Sequence, residues 1–408
     1  MFLPCVDIGG FFLALSRALG KYFSPLSVKW LKASKRSLQR RALFRIFVST
    51  IFKPRTMNID QLSAQAIDLL KQMIKTPSLS REEDKVASLV AQFLEDKGYK
   101  LQRERNNLIL QTAYRADKPT VLLNSHIDTV KAAASWTKDP FGAEEDGDKL
   151  YGLGSNDAGA SVVSLLSAFI KLSEKEQAYN LIFLASAEEE VSGKNGVEYA
   201  LTCLPKIDFA IVGEPTEMLP AIAEKGLMVV DGICHGISGH AAREEGVNAI
   251  YKAMQDVQWV QDFQFPKVSD LLGPVKVSIT QIEAGTSHNV VPDQCHYVMD
   301  IRSNELYSNE EIFSILQEHT LAELKARSFR LNSSFIAPDH PFMLRCQAKG
   351  LTPYGSPTLS DQCLMPFSSI KMGPGHSSRS HSADEFIKKS EIKAAIAQYV
   401  ELLDGLEL

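Results

Sequence analysis

The 408-residue sequence has no CxxC pair; its six cysteines, Cys5, Cys203, Cys234, Cys295, Cys346 and Cys363, are scattered. That spacing argues against a disulfide framework or a Cys-rich metal site, and for reduced thiols in a cytoplasmic chain. Long apolar runs are also missing. Gly10 to Leu19 is too short to span a membrane, and no small-residue cleavage site comes after it. No internal repeat or long linker is visible, and no membrane partner is expected. Basic residues are outnumbered by acids outside the first 56 positions. Those hold 11 Lys+Arg against one acid, Asp7, whereas the rest of the chain holds 33 Lys+Arg against 48 Asp+Glu. An acidic body is not expected to bind nucleic acid.

Residues 1–56 therefore stand apart as a basic N-terminal extension. They read either as a targeting or membrane-surface arm or as sequence upstream of a start at Met57. The charge break at Met57, with an amphipathic helix soon after it, favours the second reading. The 45% hydrophobic content of the chain is that of a soluble globular protein.

Ile59 to Met73 has apolar residues at helical spacing, and Thr76-Pro77-Ser78 ends that helix. Ser80, Glu82 and Glu83 predict a second helix start, and Gly98 stops the helix after Lys97. Leu108–Thr112, Thr120–Asn124, Leu181–Ala185 and Phe209–Val212 read as buried strands, with a helix over Ala160–Leu172. Helices between apolar strands predict an α/β sheet. The rhythm changes near Lys225. A strand over Leu227–Gly236, a helix over Gly246–Gln261 and strands over Val275–Ile282 and Gln294–Arg302 come next. A helix over Ser308–Ala326 and a strand over Phe329–Phe335 complete the series. This β-α-β-β-α-β order predicts a ferredoxin-like α+β sandwich over 225–331, inserted into a catalytic domain of 57–224 and 332–408.

The chemistry sits where apolar runs end. VLLNSHID closes on His126 and Asp128, two residues apart and so facing one way on a strand. Asp128 then supports the His126 ring, or simply caps a helix. Asp157 lies in a Gly-rich turn before a helix, either bridging two ions or acting as an N-cap. LIFLASA ends in Glu188, Glu189 and Glu190, three adjacent carboxylates whose repulsion a cation would offset; a solvated turn is the alternative. IVG precedes Glu214. GPGHSSRSHSADEF places His376 and His381 in a Gly/Ser loop, where Gly373 and Gly375 allow close backbone approach. Two histidines with several carboxylates form a set suited to zinc, with Co2+ or Mn2+ as substitutes.

HID, GSNDAGA, AEEE, GEP and SHSADEF, in that order, resemble the di-zinc metallopeptidase and aminoacylase family. That family includes acetylornithine deacetylase, succinyl-diaminopimelate desuccinylase, aminoacylase and glutamate carboxypeptidase. The resemblance covers 57–408 and implies a zinc-peptidase-like catalytic domain with an inserted dimerisation domain. It implies two Zn2+ per subunit, bridged by Asp157, with His126 and Glu214 on one ion and Glu189 and His381 on the other. Glu188 would be the general base and Asp128 would orient His126. A cis peptide is expected after Asp157. SGHAAREEGVNAI resembles the family's histidine motif, so His240 would reach the partner's site in a homodimer; otherwise it is a surface-loop histidine. Asn289, Arg302 and Gly375 match substrate-binding positions. Gly159 departs from the pattern, which commonly has Lys there.

The GPG before the last histidine leans toward the acetylornithine deacetylase branch. The resemblance thus implies hydrolysis of an N-acyl amino acid, N-acetyl- or N-succinylornithine in arginine biosynthesis. Diaminopimelate desuccinylation or dipeptide cleavage is the alternative within the enzyme class. A catalytically dead binding relative is the alternative outside it.

Overall fold

A computed structural model describes residues 57–408. The expectations for the basic extension at 1–56 fall outside the described residues. Among the described residues no helix is long and apolar enough to cross a membrane.

The helix Ile59–Ile74 begins at a capping box, in which Asn58 and Gln61 each bond the other's backbone amide. Its buried apolar side chains, Leu62, Ala66, Leu69, Leu70, Met73 and Ile74, recur at helical spacing. The second helix starts at Asp84, later than the sequence predicts, and Glu83 makes no side-chain cap bond. The Glu83 carboxylate instead accepts from the Arg81 and Glu188 amides and from Asn106 Nδ2, which binds it to the turn after a central strand.

Those helices cover a nine-stranded mixed sheet. Its centre is four parallel strands in the order Asn180–Ser186, Thr120–His126, Phe209–Val212 and Ser368–Lys371. Asn180–Ser186 and Thr120–His126 are buried at every position, which explains their continuous apolar runs. Odd and even side chains serve different cores. Val121 and Leu123 pack with the helices Ile59–Ile74, Ala160–Leu172 and Lys389–Leu403, whereas Leu122, Ile182 and Leu184 pack against Val197 and Ala200. The helix Ala160–Leu172 is buried at twelve of its thirteen positions, all but Lys171. Small residues allow this: Ser161 packs against Gly213 and Gly373, and a Cβ on Gly373 would lie 2.4 Å from Ser161 Oγ.

The inserted domain has its own core, with members from Met228 to Phe329. Its antiparallel sheet has the order Lys276–Ala284, Gln294–Arg302, Met228–His235, Glu323–Ala326. The helices Ala249–Asp262 and Asn309–His319 supply Ala249, Ala253, Ile312 and Leu316 to that core. This is the ferredoxin-like order.

Two boundaries differ from expectation. The helix predicted to reach Ala326 stops at His319, because the Asp256 carboxylate takes the amides of Leu321 and Ala322 at 2.7 and 3.1 Å. The strand predicted over Phe329–Phe335 is replaced by Glu323–Ala326 in the insert and Ser334–Phe335 in the main sheet. Ser334–Phe335 pairs with Ala221–Glu224, the strand the chain leaves to enter the insert. Exit and return are therefore neighbours in one sheet.

Candidate metal centre

The four parallel strands deliver their C-terminal ends to one edge. His126 ends one strand opposite Ser186, the last residue of its neighbour. Glu214 comes shortly after Val212, and the loop carrying His381 comes after Lys371. Ligands collect at such an edge because strand order reverses there.

The buried His126 ring donates from Nδ1 to the Asp128 carbonyl at 3.0 Å, since a carbonyl can only accept. Nε2 then faces carboxylates: Asp157 Oδ1 at 3.2 Å, Glu214 Oε1 at 3.6 Å and Glu189 Oε2 at 3.9 Å. The other Asp157 oxygen lies 3.6 Å from His381 Nε2, which also meets Glu190 Oε2 at 2.9 Å. Two ligand groups overlap here, His126 with Glu189 and Glu214, and His126 with Asp157 and Glu190. The Asp157–Ala158 peptide is cis.

The triple-glutamate segment departs from expectation. Glu188 does not face the cluster. Its carboxylate folds back onto Asn195, accepting from Nδ2 at 2.7 Å and from the amide at 3.4 Å, above a Gly193 that leaves no room for a Cβ. Glu189 and Glu190 face inward instead. The cause is local: Glu188 is left-handed, with φ 57, so strand alternation ends there and the facing residues shift one place along. Asp128 also differs in emphasis. Its carboxylate accepts from Ser80 Oγ at 2.7 Å and from the Glu189 and Glu190 amides at 3.1 and 3.2 Å, so it anchors the glutamate turn as well as adjoining His126.

The charge balance favours cations. Burial raises the Glu189 and Glu214 carboxyls well above the ordinary range, and neighbouring carboxylates add to the effect. Burial alone would lower His126, but the carboxylates of Asp128 and Asp157 outweigh it and hold the ring well above its usual value. Burial would raise Asp157, yet the His126 ring keeps it low. Hydrogen bonding to Glu190 lifts His381 to about 9. Glu214 Oε1 is moreover buried with no hydrogen-bond partner. A mixed N/O set with an orphaned carboxylate oxygen fits divalent ions.

Two buried carboxylates beside the cluster escape a reading of the sequence. Glu385 accepts amide hydrogens from Gly154, Asn156 and Asp157 at 3.1, 2.7 and 3.0 Å, and burial still pushes it up to about 8. Its place in SHSADEF is the available signal. Asp361 accepts from Asn124 Nδ2 at 2.9 Å and Ser186 Oγ at 2.7 Å, and nothing in the surrounding sequence marks it.

The remaining expected residues lie apart. His240 is exposed on a short strand paired with Val290–Val291, beside Asn289, whose carbonyl accepts from Ala241. Arg302 is held by Asp300 through two bonds of 2.8 and 3.1 Å. Among the described residues, no hydrogen bond or ion pair of these three reaches the cluster. Gly375 serves the backbone: its φ is +89, and a Cβ would sit 2.2 Å from Asn156 Oδ1. His376 caps the turn Ser377–Arg379 and lies 3.5 Å from Glu217.

A model of peptidase family M20/M25/M40 matches residues 122–405. Acetylornithine deacetylase of Proteus mirabilis is 28% identical over 362 residues, covering 80% of this chain and 93% of the relative. Succinyl-diaminopimelate desuccinylase 2 of a Ruegeria species is 26% identical over 280 residues, covering 64% of this chain and 71% of its own. The solved structure of the Bacillus subtilis YXEP protein, described as a dinuclear metal-binding peptidase, aligns with a TM-score of 0.63 at 18% identity. It covers 84% of this chain and 98% of its own and bears on the fold.

Proposed function

The chain belongs to peptidase family M20/M25/M40, and from that membership we propose a hydrolase that binds two divalent ions and removes the acyl group from an N-acyl amino acid. The substrate class is N-acetyl- or N-succinylornithine. The observation that carries the reading is the convergence of His126, Asp157, Glu190, Glu214 and His381 with Glu189 between them.

His126, Asp157 and Glu214 would hold one ion, and Asp157, Glu190 and His381 the other, with Asp157 shared. Bound there, zinc ions would polarise the acyl carbonyl and lower the pKa of water. Glu189 is the general base. Its carboxylate faces the cluster from the same turn as Glu190 but in a different direction, so it can accept a proton from water and pass it to the leaving amine. Glu385 fixes the Gly154–Asp157 turn that presents Asp157.

The protein works as a homodimer joined through 225–331, with His240 stabilising the developing oxyanion in the partner's site. The exposure of Ile237, Tyr251 and Met254 on the inserted domain supports that contact.

Amine release from a panel of N-acetyl and N-succinyl amino acids and dipeptides tests the substrate class. Turnover of dipeptides alone would overturn the deacylase reading.

A further inference from the structure

The return segment of the inserted domain carries one side chain into the catalytic domain. Arg330 lies between Phe329 and Leu331, and both neighbours are tied to the insert. Phe329 packs edge-on against Phe313 at 5.2 Å between centroids. The Phe329 and Leu331 carbonyls both accept from the buried Asn309 side chain, at 3.3 and 2.9 Å. The Arg330 backbone is therefore anchored to the insert. Its guanidinium crosses to the other domain, where one nitrogen donates to the Ser192 carbonyl and another pairs with Glu198.

Ser192 is not an arbitrary acceptor. It closes the Glu189–Val191 turn, its amide donating to the Glu189 carbonyl at 2.7 Å. The turn is flanked by two left-handed non-glycine residues, Glu188 at φ 57 and Ser192 at φ 44. Such backbone is held only when its surroundings over-determine it. Asp128 fixes the turn at its start, through the Glu189 and Glu190 amides. Arg330 fixes its far end, and does so from the inserted domain.

Resting on the roles given to Glu189 and Glu190 above, we propose that Arg330 is a positioning residue that couples the orientation of the inserted domain to the glutamate turn. A fork that grips a carbonyl and a carboxylate at once suits arginine and not lysine. Arg330 thus holds the base in register without itself touching the reacting atoms.

Hydrogen exchange of the full chain, read by mass spectrometry, tests this without relying on activity. Arg330→Ala should speed exchange in the 188–195 segment by at least about tenfold, leaving the inserted domain's core strands unchanged. Arg330→Lys should restore part of the protection. Under turnover, kcat of Arg330→Ala should fall at least about fivefold with KM within about twofold. Unchanged exchange at 188–195, or equal acceleration across both domains, overturns the proposal. Where Arg330→Ala fails to fold, Glu198→Ala at the partly exposed end of the fork should give a smaller acceleration in the same segment, and none overturns it. Wild-type protein inert on every acylated substrate would sink the functional reading and leave the exchange result standing.

Discussion

Asp157 presents one carboxylate oxygen to each of two histidines, Oδ1 at 3.2 Å from His126 Nε2 and Oδ2 at 3.6 Å from His381 Nε2. A carboxylate so placed serves both halves of the centre. Asp157→Ala should therefore release both ions, not one. Metal analysis finding two ions retained per chain would refute the bridging role.

Glu189 and Glu190 are chemically identical neighbours with different surroundings. Glu189→Gln should keep both ions and lower kcat by at least about a hundredfold, near 3 kcal/mol of barrier. Glu190→Gln should weaken one ion. Glu188→Gln should do little, since its Oε1 can still accept from Asn195 Nδ2. A rate collapse in Glu188→Gln with intact metal would restore the base to Glu188.

Subunit exchange addresses His240. Mixing inactive His240→Ala chains with inactive Glu189→Gln chains should recover activity, because one site per heterodimer keeps both groups. No recovery after exchange is verified would place His240 outside the partner's chemistry.

An acid-dependent contribution comes from an ion pair outside the cluster. Glu145 bonds Lys389 and Lys71, which hold its carboxyl at about 2 against an ordinary 4.5. A depressed carboxyl stabilises the fold above the unfolded value and loses that contribution as pH falls toward the folded one. Glu145→Gln should therefore flatten the stability profile between about pH 4.5 and 2, with little change in its slope above pH 5. The effect should shrink in high salt, since the side chain is partly exposed. Urea midpoints measured across that range would show it.

The strand ends are legible in the sequence because buried parallel strands are continuous apolar runs, and the residues just beyond them are polar by necessity. His126 and Glu214 stand out in that way, whereas Asp157 is marked by its Gly-rich turn and His381 by its Gly/Ser loop; the fold brings the four together. The choice among Glu188, Glu189 and Glu190 is not legible. It depends on a left-handed residue at the end of a strand, and no local preference marks Glu188 as left-handed. Asp361 and Asp256 are hidden for a related reason. Each is buried by residues distant in sequence, and Asp256 stops a helix that its own neighbours would have continued.

An ordinary amphipathic helix drifts freely on its wet side, so substitutions accumulate every third or fourth position. The helix Ala160–Leu172 has no wet side except at Lys171. Saturation mutagenesis across it should give an almost flat band of intolerance with a single gap, and that band would identify the segment as the centre of the domain without any structure.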